Sequence, residues 1–341
     1  MTRPDYHTLM HTALNFLLSE VAAEDKTPVE FGANLMLAHE YWVAGVPTAD
    51  LIRMVSALHE LGVTRIDMNL GSFPWAFTPD IPTIVKYDAV IAKIRALGMR
   101  LAFNPQYSAT YWPMANLAAW QTACLAFYEF VANRYEPDIF VVVHEPTTMA
   151  TRLGGVITVQ NWLDFAEATA AVVASASPST QIGAGGLAAD QLHFEAFAGS
   201  ASIDVLTLDI YSLADMPTFT EMVETANTAV KPVYIAETWR TPFATTTSGT
   251  AEEAAVEGVG DEDFVALDIK WLTALTQWAR TLGLTEITAV WPQPFFRYMT
   301  IGEGSATDPT YTAAVLQALL RHQRTPAFKA YKDLIAENIE D

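Results

Sequence analysis

Residues 139–186, IFVVVHEPTTMATRLGGVITVQNWLDFAEATAAVVASASPSTQIGAGG, decide the fold. The stretch opens on IFVVVHE (139–145), a short apolar run rich in β-branched residues, which reads as a fully buried strand. In VQNWLDFAEATAAVVASA (159–176) the apolar positions recur at three and four, the spacing of an amphipathic helix. QIGAGG (181–186) then returns to a short strand. Strand, helix and strand in this order make a parallel pair joined by a helical crossover.

Working outward, the same unit repeats. FGANLML (31–37), VTRIDMNL (63–70) and MRLAFNP (99–105) precede it, and VLTLDIYS (205–212), PVYIAE (232–237) and ITAVWP (287–292) follow. Helical patterns such as TADLIRMVSALHELG and EDFVALDIKWLTALTQWARTLG lie between them. Gly62, Gly98 and Gly283 stop three of these helices just before the next strand. Eight alternations predict an α/β fold closed into a (β/α)8 TIM barrel over about residues 30–320, in a single domain spanning 1–341. An extra N-terminal helix is expected at about 8–24, perched under the barrel, and a helical tail at about 321–341. An open doubly wound sheet is the alternative, but no G-x-G-x-x-G follows the first strand. GAGGLAAD (183–190) fits neither that motif nor a P-loop and reads as a tight turn between strand and helix. The longest irregular stretch, about 239–262, follows the seventh strand on the face where barrel active sites form.

Composition narrows the function. With 39 acidic against 19 basic residues the net charge is −20, which repels phosphate backbones and argues against nucleic acid as a partner. No apolar run reaches the length of a membrane span. The one cysteine, Cys124, lies in a helical pattern, so it reads as a buried inert thiol, with no intramolecular disulfide or cysteine cluster. Neither H-x-H nor H-E-x-x-H occurs, so no metal is expected, and no cofactor. The run ALNFLL ends at Ser19-Glu20 and resembles an amphipathic helix more than a signal peptide. Secretion and a cytoplasmic location both stay open, as does the oligomeric state.

In such a barrel the chemistry belongs at the carboxyl ends of the strands. Arg65, Asp67 and Asn69 alternate along strand two, Asn104 and Gln106 share a register on strand three, and Thr207, Asp209 and Tyr211 share a face of strand six. Strand four ends in His144-Glu145-Pro146, strand seven in Glu237 and then Thr238-Trp239, strand eight in Trp291-Pro292. Burying so many polar groups is costly unless they line a hydrated pocket. Glu145 and Glu237 each follow an apolar run directly, on strands that face each other across the barrel mouth. Two such carboxyls suit glycoside hydrolysis, in which one is held protonated and the other ionised. The residue pattern alone leaves an interior ion pair equally open.

These strand ends resemble the glycoside hydrolases of clan A, over about residues 30–320. That clan carries its acid/base Glu at the end of strand four, usually in Asn-Glu-Pro, and its nucleophile Glu at the end of strand seven. The matching residues are Glu145 and Glu237. Its strand-two arginine, strand-six tyrosine and strand-eight tryptophan match Arg65, Tyr211 and Trp291, and GANL (32–35) is similar to its strand-one starts. The resemblance implies a retaining β-glycoside hydrolase that acts on a β-linked oligo- or polysaccharide by double displacement. Glu237 attacks and Glu145 serves as acid, then base. Arg65, Asn69, Gln106, His144, Tyr211, Trp239 and Trp291 are the expected sugar-binding residues.

One position departs from the pattern. His144 stands where most members have Asn, as it does in the β-mannanases of family 26, whereas NPQYSATYW (104–112) is similar to a string of the endo-β-1,4-galactanases. The sugar therefore stays open, and His144 is expected to be neutral so that Glu145 can hold its proton. Two other readings compete. One is a carbohydrate-binding barrel without activity. The other is an aldolase- or isomerase-type barrel, which would call for a Schiff-base lysine or metal ligands at strand ends. The only lysine near a strand is Lys231, at the wrong end of strand seven. Trp120, Trp162, Trp271 and Trp278 fall in helical patterns and are expected in the core. Trp75, Trp112, Trp239 and Trp291 fall at strand ends, open to a ligand.

Overall fold

The computed structural model describes residues 3–21, 27–35, 46–69, 81–105, 117–240, 264–290, 292–298 and 309–340. In chain order the elements begin with α1 (Arg3–Glu20), β1 (Glu30–Leu35), α2 (Thr48–Leu61), β2 (Arg65–Asn69), α3 (Ile81–Ala96) and β3 (Arg100–Asn104). They continue with α4 (Leu117–Tyr135), β4 (Ile139–His144), α5 (Pro146–Leu153), α6 (Val159–Ala176), β5 (Gln181–Gly186), α7 (Gln191–Gly199) and β6 (Val205–Ile210). The last are α8 (Met216–Thr228), β7 (Val233–Thr238), α9 (Val265–Thr281), β8 (Glu286–Ala289), α10 (Pro309–Leu320) and α11 (Pro326–Glu340). The eight strands are all parallel, neighbours in sequence are neighbours in space, and β8 closes on β1. This is the (β/α)8 barrel that the alternation predicts.

The N-terminal helix differs in detail from the reading of the sequence. The N-terminal helix starts at Arg3 and stops at Glu20, and it lies along α9 with Met10 and Leu14 buried, rather than under the barrel. The helical tail expected at about 321–341 is α11, which follows α10 after residues 321–325, with Pro326 opening it at a position where its missing N–H costs nothing. Asn338 on α11 donates from Nδ2 to the Val29 carbonyl (2.7 Å) and accepts from the Val29 N–H (3.3 Å), which ties the tail to the start of β1.

Alternation along the strands builds two cores. Ala102, Ile139, Val141, Val205, Tyr234 and Ala236 fill the inside of the barrel, and a larger cluster fills the layer between strands and helices. Trp120, Trp162, Trp271 and Trp278 are buried in that layer, and so is Cys124, whose thiol pKa burial pushes up.

The alternation breaks on two strands. On β4 the pairing with β5 shifts between Val141 and Val143, and on β7 the pairing with β6 passes from Ile235 to Glu237. An extra residue in a strand re-aims the side chains that follow it. Without these bulges His144 would share the outward face with Phe140 and Val142, and Glu237 would share it with Ile235. With them, both side chains enter the barrel. The glycines of β5 allow the close approach that this packing needs: a Cβ on Gly185 would stand 2.0 Å from the Thr207 carbonyl oxygen.

Candidate active site

Glu145 follows β4 directly and caps α5 with its backbone in the left-handed region, φ 47° and ψ 63°. Such a conformation in a residue with a side chain costs on the order of 1–3 kcal/mol and persists only where its surroundings impose it. Its N–H donates to the Gly185 carbonyl (3.0 Å) and its carbonyl accepts from Met149 N–H (2.9 Å). The carboxyl titrates above the ordinary glutamate range. Burial raises it and Asp209 adds to the rise, against the opposing pull of His144, Thr148 and Arg152.

Glu237, near the end of β7, is almost wholly buried. Tyr211 donates its hydroxyl to Oε2. Oε1 takes the Asn34 amide at 3.4 Å from β1 and faces His144 Nε2 at 3.6 Å. Burial pushes the Glu237 carboxyl up to about 8, with the charges of Asp209 and Glu145 adding to the rise and His144 and Tyr211 opposing it.

His144 joins the two halves of this cluster. Its Nε2 lies 3.0 Å from Asp209 Oδ2, and both side chains are fully enclosed. Burial alone would depress the imidazolium, but Asp209 and Glu237 outweigh it and push its pKa up to about 10. These contacts weigh against the expectation of a neutral His144 and favour its imidazolium form. The physical reason is Asp209, whose carboxylate approaches more closely than either glutamate. The cost foreseen for Glu145 does not follow, because burial outweighs the pull of His144 there. His144, Glu145 and Asp209 each offer one atom within 4.8 Å of the others, a spacing that admits a small ion. A metal there would have to displace the proton that Asp209 and Glu237 favour on His144.

The sequence-predicted residues divide. Glu145, Glu237, His144 and Tyr211 converge at the carboxyl ends of their strands. Asn69 ends β2, buried, and its carbonyl accepts from the Tyr87 hydroxyl (3.3 Å). Arg65 is a correction. It opens β2 at the opposite end of the barrel, where its guanidinium pairs with Asp67 (2.7 Å) and Glu286 (2.6 Å) and covers the Tyr234 ring (4.1 Å). Those two acids take up its charge at the start of β2, in the layer below the strand ends. Trp239 is a second correction: it is wholly enclosed, its ring edge-on to Phe295 at 5.4 Å, and its large apolar area serves packing. Gln106, Trp291, Trp75 and Trp112 lie outside the described residues. Lys231 sits before β7 with its ammonium on the carbonyls of Ser200 (2.6 Å) and Ile203, away from the cluster.

Sequence reasoning did not single out Asn34 or Asp209 as site residues. Asp209 was visible as a polar residue on the Thr207–Tyr211 face of strand six. Asn34 carried only the weak signal of a polar side chain in an apolar strand.

No protein-family model matches the chain, and no curated protein sequence matches it. Solved structures do. The endo-1,4-beta-mannanase of Rhizomucor miehei superposes with a TM-score of 0.53 at 12% identity, over 88% of this chain and 97% of that one. The exo-beta-1,4-mannosidase Op5Man5 of Opitutaceae bacterium strain TAV5 superposes with a TM-score of 0.63 at 12% identity, over 94% of this chain and 62% of that one. A psychrophilic family 10 endo-beta-1,4-xylanase gives 0.51 at 13% identity, over 89% and 96%. At such identities the likeness speaks for the fold alone, and this chain shares the (β/α)8-barrel fold of these three enzymes.

Proposed function

We propose that the protein is a retaining β-glycoside hydrolase acting on a β-linked oligo- or polysaccharide, with Glu237 as nucleophile and Glu145 as acid and then base. The observation that carries this reading is the charge imbalance at the strand ends. Lower in the barrel, two guanidiniums, Arg65 and Arg100, stand among the buried Asp67 and Glu286 and the exposed Glu30, so each buried carboxylate has a cation within reach. At the strand ends, Glu145, Asp209 and Glu237 surround a single imidazolium. Desolvating an ion costs several kcal/mol, and a fold gains nothing from an excess of buried carboxylates. A glycosidase does gain, because it needs one carboxyl that keeps its proton beside one that gives it up.

The local contacts divide those tasks. Glu237 receives the hydrogen bonds and the positive charge that favour an ionised nucleophile: Tyr211, Asn34 and His144 all approach its oxygens. Burial and the Asp209 charge raise both carboxyls, and Glu145, without the Tyr211 and Asn34 donors that Glu237 has, is the one left to hold a proton for the leaving oxygen. In the first step Glu237 bonds to the anomeric carbon as the glycosidic bond breaks, and Glu145 gives its proton to the departing oxygen. In the second, Glu145 takes a proton from water, which displaces Glu237.

The test is hydrolysis of a panel of β-linked polysaccharides and aryl β-glycosides by the wild type, Glu237→Ala and Glu145→Ala. Glu237→Ala is expected to be inactive on all of them. Glu145→Ala is expected to spare glycosylation by substrates whose leaving group needs no proton. A wild type that binds sugars without cleaving any would point to the carbohydrate-binding reading.

A further inference from the structure

We propose that Asp190 is a positioning residue for Glu145, holding the proposed acid/base in its left-handed backbone conformation from the neighbouring strand-to-helix turn. The inference rests on the acid/base role given above. Asp190 ends the short 3-10 turn Ala188–Asp190 after β5 and is fully buried. Its Oδ1 accepts the Thr147 N–H at 2.8 Å, and its Oδ2 accepts the Leu187 N–H at 3.0 Å. Thr147 lies in the first turn of α5, whose own N-cap, Glu145, makes no capping bond with its side chain. The free N–H of a first turn calls for an acceptor, and here another element supplies it.

Gly186 joins the two features. A Cβ there would stand 2.6 Å from Asp190 Oδ2, 2.8 Å from Glu145 Cα and 2.9 Å from Glu145 N. The backbone of residue 186 is thus pressed between the Asp190 carboxylate and the Glu145 main chain, and only glycine fits. From the other side, the Gly185 carbonyl holds the Glu145 N–H at 3.0 Å. Glu145 is clamped by β5, by Gly186 and, through Thr147, by Asp190. Were φ to relax to a negative value, the carboxyl would swing away from His144, Asp209 and Glu237. Among the described residues the titratable group that faces Asp190 is His193, with Nδ1 at 3.8 Å from Oδ1, and burial lowers its pKa against the opposing pull of Asp190. Asp190 touches no reacting atom and acts only through the placement of Glu145.

A merely structural Asp190 would damage every step alike, whereas a positioning residue damages the step that needs the Glu145 proton. The variant is Asp190→Asn, which keeps the volume but turns an amide N–H2 on one of the two backbone donors. Asp190→Ser, which keeps one acceptor, serves if the first does not fold. Cleavage of glycosides with sugar leaving groups is expected to fall about tenfold or more in kcat/KM, and cleavage of 2,4-dinitrophenyl glycosides by less than about threefold. Equal losses on both classes, or none on either, overturn the proposal. If the wild type cleaves no glycoside, the hydrolase reading itself fails, and amide hydrogen exchange decides the clamp. Faster exchange confined to residues 145–149 in the variant supports it, and unchanged exchange there overturns it.

Discussion

Replacing Tyr211 by Phe removes one hydroxyl and leaves the ring packed against the core. The lost bond is the one donated to Glu237 Oε2, a bond to a group that must be ionised to attack. Hydrogen bonds to charged groups contribute roughly 1.5–3 kcal/mol, and every 1.36 kcal/mol is tenfold in rate, so turnover is expected to fall about 10- to 100-fold. The pH dependence should move as well. Burial, then Asp209 and Glu145, already push the Glu237 carboxyl up to about 8, and Tyr211 opposes them. Without that donor the pKa rises further, and the acidic limb of kcat/KM against pH shifts upward. Stability follows the same sign. Because the folded pKa lies above the ordinary 4.5, this group's contribution is full below 4.5 and is lost as pH rises through about 8. The variant should carry that loss to higher pH. The assay is a pH–rate profile on an aryl glycoside beside thermal melts across the same range. An unmoved acidic limb with kcat within about threefold of the wild type would refute the hydrogen-bond argument.

Three further outcomes are expected. His144→Asn removes the positive charge beside Glu237 and Glu145, so both limbs of the pH–rate profile should move to higher pH and the ratio of activities on mannan, galactan and glucan should change; if neither moves, His144 is only a structural neighbour. Glu286 is pushed up to about 8 by burial, with Arg65 opposing and Asp67 adding, so it costs the fold stability as pH rises from 4.5 toward 8. Urea unfolding at pH 5 and pH 8 should therefore show a flatter pH dependence for Glu286→Gln than for the wild type, and equal slopes would count against a strained carboxylate there. Gly185→Ala drives a methyl to 2.0 Å from the Thr207 carbonyl and should cost about 3 kcal/mol or more, whereas Gly155→Ala, with nothing within 4 Å, should leave the melting temperature almost unchanged; similar melts for the two would contradict the close strand approach.

Strand positions were legible because each strand is an apolar run between turn residues. Residues 139–145 became Ile139–His144, and 181–186 became Gln181–Gly186. Faces were legible wherever alternation held, as for Arg65, Asp67 and Asn69 on β2 or Thr207 and Asp209 on β6. They were not legible on β4 and β7, because a bulge depends on the pairing with the neighbouring strand, and no local signal in VVVHE or VYIAE announces one. Height along a strand was the second blind spot. Arg65 follows the order of the clan A motifs, yet it opens its strand, where Asp67 and Glu286 absorb its charge. The protonation of His144 was the third, since it is set by Asp209 two strands away. Trp239 had the composition of a sugar platform, and packing against Phe295 claimed it.

The central claim is that Glu237 becomes covalently glycosylated. It is tested most directly by incubating the protein with 2-deoxy-2-fluoro glycosides bearing a reactive leaving group, chosen to match whichever sugar it cleaves, and sequencing the labelled peptide by mass spectrometry. The account predicts one fluorosugar on the peptide that carries Glu237, attached to that carboxyl, and no label in Glu237→Gln. A label on another residue would contradict it, and so would an active enzyme that never labels and releases a product of inverted anomeric configuration.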